Sequence, residues 1–149
     1  MRFSHPGTTI SLPEEVRASI AELASDADTR EVWLIGSQAS RTAHSASDWD
    51  LLVFSDREPT ARTTRVNGVD VLHVGPSGTR LLEGQSASMS TSFANFNWEL
   101  VNPGEAKYVG LRFLPVVAGV ARDSPSILRV PATGRLLWSR VTEHSNGDA

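Results

Sequence analysis

Asp48 and Asp50, in Asp48-Trp49-Asp50, open the apolar run Leu51-Leu52-Val53-Phe54, and upstream of them Gly36-Ser37 closes another apolar run, Val32-Trp33-Leu34-Ile35. Residues i and i+2 of a strand project to the same face, so the two carboxylates can share a hard divalent cation such as Mg²⁺, while Trp49 faces the other way, into a core. Ser37 to about Thr42 has the length of a short helix whose start turns free backbone N–H groups toward an anion. A plain strand-to-helix connector is the alternative for the same residues. Carboxylates that bind metal, close to a turn that binds anions, are what phosphate chemistry in water requires.

The chain carries its own control, because a second D-x-D stands at Asp26-Ala27-Asp28. That copy lies among Ala, Ser and Thr, with no apolar strand beside it and no glycine turn before it, and reads as a helix end or loop. Only Asp48 and Asp50 combine strand, turn and carboxylates in the useful order. Further along, Asp70 in Val69-Asp70-Val71-Leu72-His73-Val74 shares a strand face with Leu72 and Val74. A carboxylate on an otherwise apolar face is costly to bury unless a cation accepts it, which makes Asp70 a candidate ligand or base; a strand-edge carboxylate is the other reading.

Gly36-Ser37, ten intervening residues, Asp48-Trp49-Asp50-Leu51 and the later Asp70 together resemble the nucleotidyltransferase superfamily of DNA polymerase β type, and its small stand-alone members in particular. The resemblance covers roughly residues 32 to 74. It implies an α/β (α+β) fold, a small mixed β-sheet with helices packed on it. It further implies that Asp48, Asp50 and Asp70 hold two divalent ions, Mg²⁺ or Mn²⁺, and carry the catalysis. Gly36 and Ser37 would hold the phosphates of a nucleoside triphosphate, ATP in this reading, and Arg41 would neutralise their charge. One departure stands out: relatives carry cations soon after Gly-Ser, where this chain has Gln38 and Ser40. Two functions follow from the same residues. One is transfer of a nucleoside monophosphate, AMP from ATP, to a hydroxyl acceptor; the other is a degenerate domain, for example an antitoxin, that binds nucleotide or a partner protein without turnover. Acceptor contacts in larger relatives come from an added helical domain, so a helical partner protein is expected to supply them here.

The elements that must position these residues can be read in outline. Ser11-Leu12-Pro13-Glu14 reads as a capping box, and Val16, Ile20 and Leu23 at i, i+4 and i+7 predict an amphipathic helix ended by Ser25-Asp26-Ala27-Asp28. Asn67-Gly68 between β-rich runs predicts a hairpin. Pro76-Ser77-Gly78 breaks the strand that carries Asp70, and Thr79 to Glu83 is expected to begin a short helix. Gln85 to Thr91 is polar and small. Phe93, Phe96, Trp98 and Tyr108 suit a core, which is the commoner use of aromatics, and Trp98 or Tyr108 could instead stack on a base. Asn102-Pro103-Gly104 is a turn, and Leu111 to Val120 a core strand or helix. Ile127 to Val130 and Arg135 to Trp138, separated by Pro131-Ala132-Thr133-Gly134, suggest a late hairpin or a strand and helix.

The 149 residues, 40% of them apolar, suffice for one domain over residues 1–141 with a disordered tail at 142–149. Cysteine is absent, which excludes a thiol nucleophile and thiolate zinc and suits a reducing cytoplasm. The longest apolar run, from Phe113 to Ala121, is too short to span a bilayer. A formal charge of −3 lacks the basic footprint of a polynucleotide binder, so a small-molecule or protein acceptor is expected rather than nucleic acid.

Overall fold

The computed structural model describes residues 11–36, 49–61, 68–113 and 127–140. Among these residues the helix α1 (Glu14–Ser25) precedes eight strands: β1 (Thr29–Ile35), β2 (Trp49–Ser55), β3 (Val69–Val74), β4 (Thr79–Leu82), β5 (Thr91–Ser92), β6 (Glu99–Asn102), β7 (Glu105–Phe113) and β8 (Ile127–Ser139). They form a single mixed sheet in the order β5-β4-β3-β2-β1-β8-β7-β6. Only β2 and β3 run parallel; every other neighbouring pair is antiparallel. The architecture is therefore mixed, as expected, but dominated by its sheet, with a single α-helix among the described residues instead of several. None of the helices described is long and apolar enough to cross a membrane.

Strand alternation splits the sheet into two apolar faces. Helix α1 covers the first, where Val16, Ile20 and Leu23 pack on Val32, Leu34, Leu51, Val53, Val69, Val71 and Leu137, with Trp49 partly buried against them. Each such side chain contributes about 1.5–3 kcal/mol when fully buried, so this apolar face, more than intrinsic propensity, holds a helix of twelve residues in place. The second face gathers Trp33, Ile35, Leu52, Val74, Ala106 and Tyr108, with Phe54, Leu72, Phe93, Phe96, Trp98 and Leu136 packed against them. Trp98 meets Trp33 edge-on at 5.0 Å and stacks on Tyr108 at 5.8 Å with the rings inclined by 30°. These aromatics fill a core, and the Tyr108 ring is buried within it.

Three local expectations are corrected. Ser11 does not cap α1: the N-cap is Pro13, no side chain caps the helix, and the Pro13 carbonyl accepts from the N–H groups of Val16 and Arg17. The physical reason is that Leu12 precedes a proline and is disfavoured in the α region, which moves the helix start past Pro13. Thr79 to Leu82 forms strand β4, not a helix. The tight turn from Gly75 to Gly78, with Gly78 at φ +86°, folds this segment back on β3 so that Leu72 opposes Leu82 and His73 opposes Leu81. Finally, β8 runs unbroken through Pro131-Ala132-Thr133-Gly134. Pro131 opposes Val109 of β7 in the half of β8 that extends beyond its pairing with β1, where a missing N–H is tolerated. Gly134 lies directly under Trp98, and a side chain there would collide with the indole.

Residues 37–48, the first arm of the expected hairpin at 62–67, most of the run from Leu111 to Val120, and the expected tail at 142–149 lie outside the described residues. Gly68 does take the positive φ, +83°, that the Asn-Gly turn requires, and its carbonyl accepts from the N–H of Trp49 at 2.8 Å as β3 enters beside β2.

Candidate functional site

The parallel register of β2 and β3 pairs Trp49 with Val69, Asp50 with Asp70 and Leu51 with Val71. Asp50 and Asp70 are thus direct partners on neighbouring strands, one strand spacing of about 4.8 Å apart at their backbones. Both are partly buried and both line a cavity of about 300 Å³ on the second face of the sheet. Its walls come from the strands in order: Ile35 of β1, Asp50 of β2, Asp70 and Leu72 of β3, Arg80 and Leu82 of β4, and Thr91 of β5, with Gln85 and Met89 from the connection between the last two. Trp49 packs toward the opposite face, as alternation demands.

A left-handed glycine closes one end of this carboxylate pair. Gly36 has φ +77°, and a Cβ built on it would overlap Asp50 Oδ2 and lie 3.2 Å from Asp50 Cγ. The Asp50 carboxylate can lie this close to the Gly36 backbone only because residue 36 has no side chain. The Gly36 N–H donates to the Tyr108 hydroxyl at 2.7 Å, so β7 anchors the turn from across the sheet. Burial pushes the Tyr108 phenol above its ordinary value; the hydrogen bond from Gly36 opposes that rise, and the negative charge of Asp50 adds to it. The hydroxyl beside Asp50 therefore stays protonated through the whole neutral range.

Of the residues singled out from sequence, the structure brings Gly36, Asp50 and Asp70 together; Ser37, Arg41 and Asp48 lie outside the described residues. The control pair goes elsewhere. Asp26 and Asp28 sit at the end of α1 and form ion pairs with Arg57 at 2.8 and 3.3 Å. Arg80 was not foreseen as a site residue, and Tyr108 was expected as a core aromatic or a ring stacked on a base, not as the hydroxyl that accepts from Gly36. Nothing local marks these roles, since Tyr108 reads as an ordinary inward position of β7 and Arg80 lay in a segment expected to be helical.

A family model described as a nucleotidyltransferase domain matches residues 14–105, more than half of the chain and inclusive of Gly36, Asp50 and Asp70. The chain belongs to the nucleotidyltransferase domain family. No curated protein and no solved structure matches it. The matched segment ends three residues before Tyr108, so the hydroxyl that anchors Gly36 comes from outside it. Members of the family use divalent metal and a nucleoside triphosphate, and the donor chemistry here can be tested against that use. No cluster of three or more His, Asp or Glu suited to a metal occurs among the described residues. Asp50 and Asp70 nonetheless place two acidic residues side by side at the wall of a cavity, and Mg²⁺ is commonly held by one or two carboxylates together with substrate phosphates. The residues fit such an ion.

Proposed function

We propose that this chain is a metal-dependent nucleotidyltransferase that moves a nucleoside monophosphate, AMP from ATP, to a hydroxyl acceptor. The observation that carries the proposal is the register pairing of Asp50 with Asp70 on parallel strands at the wall of one cavity, beside a glycine that leaves room for the Asp50 carboxylate. In this reading Asp48, Asp50 and Asp70 hold the divalent ions, and Gly36, Ser37 and Arg41 receive the phosphates. Bound divalent ions would stabilise charge on the attacking and leaving oxygens of an in-line displacement at the α-phosphorus. Asp50, fixed against the Gly36 turn, orients the triphosphate, and Asp70 sits on the side where the acceptor enters. The acceptor oxygen forms its bond to the α-phosphorus, the bond to pyrophosphate breaks, and the acceptor proton departs toward the Asp70 carboxylate. A helical partner protein supplies the acceptor contacts.

Calorimetry with Mg-ATP tests the assignment. Asp50→Asn should abolish metal-dependent binding, whereas Asp70→Asn should keep much of it, with Asp26→Asn and Asp28→Asn as controls that leave it unchanged. Wild-type affinity in both Asp50→Asn and Asp70→Asn would remove the metal site. A second reading, nucleotide binding without turnover, rests on Gln38 and Ser40 standing where relatives carry cations. It predicts the same binding pattern and no pyrophosphate with any acceptor.

A further inference from the structure

The cavity that holds Asp50 and Asp70 has a cation on its far wall. Arg80 of β4 lines it, and strand alternation places Arg80 on the same sheet face as Leu82, Leu72 and Asp70, because Arg80 opposes Val74 and Leu82 opposes Leu72. Its guanidinium is fixed at two points. Nε donates to the Ser92 carbonyl at 2.9 Å, and the guanidinium carbon lies 5.1 Å from the centre of the Phe96 ring. No ion pair joins Arg80 to a carboxylate among the described residues. A guanidinium at a cavity wall, stacked on an aromatic ring and held through Nε alone, keeps its two Nη groups as a fork for a bidentate oxyanion. Val74 lies four residues along β3 from Asp70, roughly 13 Å by strand rise. Two side chains reaching into one open cavity from those positions leave a gap that a short phosphate chain can fill.

We infer that Arg80 binds the terminal γ-phosphate of the triphosphate, at the end of the cavity away from the carboxylates and beyond the phosphates received by Gly36, Ser37 and Arg41, and so adds a cation to a site that has Gln38 and Ser40 after its Gly-Ser. This inference rests on the proposed nucleotidyl transfer for the identity of the ligand, but its chemistry is that of any polyphosphate. Selectivity for a triphosphate over a monophosphate then comes from Arg80, because AMP reaches the carboxylates and not the guanidinium.

The test measures binding of Mg-ATP, Mg-AMP and magnesium tripolyphosphate to the wild type, Arg80→Gln and Arg80→Lys, each first shown to be folded by circular dichroism. Arg80→Gln should weaken ATP and tripolyphosphate by roughly ten- to a hundredfold while leaving AMP within about twofold. Arg80→Lys, which keeps the charge but not the planar fork, should fall between. A structural loosening of β5 would lower ATP and AMP alike and leave their ratio unchanged, and that result overturns the inference. Undiminished tripolyphosphate binding in Arg80→Gln overturns it too and leaves the transferase reading standing. If tripolyphosphate binding depends on Arg80 but no nucleotide is ever turned over, the inference holds and the transferase reading falls. A wild type that binds none of the three ligands refutes both.

Discussion

Replacing Gly36 by alanine perturbs the site at the point where backbone and carboxylate meet. Two separable costs follow from the structure. The first is conformational: a non-glycine residue at φ +77° costs roughly 1–2 kcal/mol. The second is steric: the new Cβ would overlap Asp50 Oδ2, and driving that carboxylate off its rotamer costs about 0.5–1.5 kcal/mol. Together they predict a loss of about 1.5–3.5 kcal/mol, which for a chain of this size lowers the melting temperature by roughly 3–14 °C. Placing Gly36→Ala in an Asp50→Ala background separates the two, because the overlap disappears and only the conformational cost remains. Denaturant unfolding of the four proteins in this cycle should therefore give a coupling of about 1 kcal/mol. Calorimetry should show that Gly36→Ala alone also loses Mg-ATP binding, since the displaced carboxylate is the one assigned to the ion. Equal destabilisation by Gly36→Ala in both backgrounds would refute the close approach of Asp50 to the glycine turn, and no destabilisation in either would refute the left-handed turn itself.

Tyr108→Phe leaves the Gly36 N–H without its acceptor and should cost about 1–3 kcal/mol, with weaker Mg-ATP binding because the turn is no longer anchored. Tyr108 is the sole tyrosine, so ultraviolet titration reports it directly: its raised folded pKa means that its contribution to stability is complete below the ordinary value of about 10 and is lost as pH rises through the folded pKa. The wild type should lose stability in that alkaline window and Tyr108→Phe should not; a phenol that titrates at its ordinary value contradicts this. Arg140 donates to the carbonyls of Ala24, Asp26 and Thr29 at 2.9, 3.1 and 2.9 Å, tying the last strand to the end of α1. Arg140→Ala should lower stability by about 2–4 kcal/mol without changing Mg-ATP affinity, as thermal unfolding and calorimetry would show.

Features set by local chemistry could be read from the sequence. The stripe Val16, Ile20 and Leu23 gave α1 its buried face, alternation sent Trp49 inward and put Asp70 on one face with Leu72 and Val74, and Asn102-Pro103-Gly104 turned the chain between β6 and β7. The resemblance, carried by three short matches, pointed to the family that the longer match establishes. Pairings between distant segments were not legible. Thr79 to Leu82 is too short for periodicity to separate strand from helix, and its pairing with β3 decides the matter. Pro131 and Gly134 carry turn chemistry that β8 overrides, because Gly134 makes room for Trp98 and Pro131 sits where β1 no longer pairs. The meeting of Tyr108 with Gly36 spans 72 residues, and no spacing rule reaches that far. Arg41 could be named because it lies near Gly-Ser in the chain, whereas Arg80 reaches the cavity only through the β3–β4 hairpin.

We assign nucleotidyl transfer to the neighbouring residues Asp50 and Asp70. Incubation of the wild type, Asp50→Asn and Asp70→Asn with α-labelled ATP, Mg²⁺ and a cell lysate as acceptor pool, followed by measurement of pyrophosphate release and of label in macromolecules and small molecules, tests it directly. The wild type should release pyrophosphate in step with labelled product, Asp70→Asn should bind ATP yet form none, and Asp50→Asn should do neither. Product formation at the wild-type rate in both variants, or none from the wild type with any acceptor, would contradict the claim.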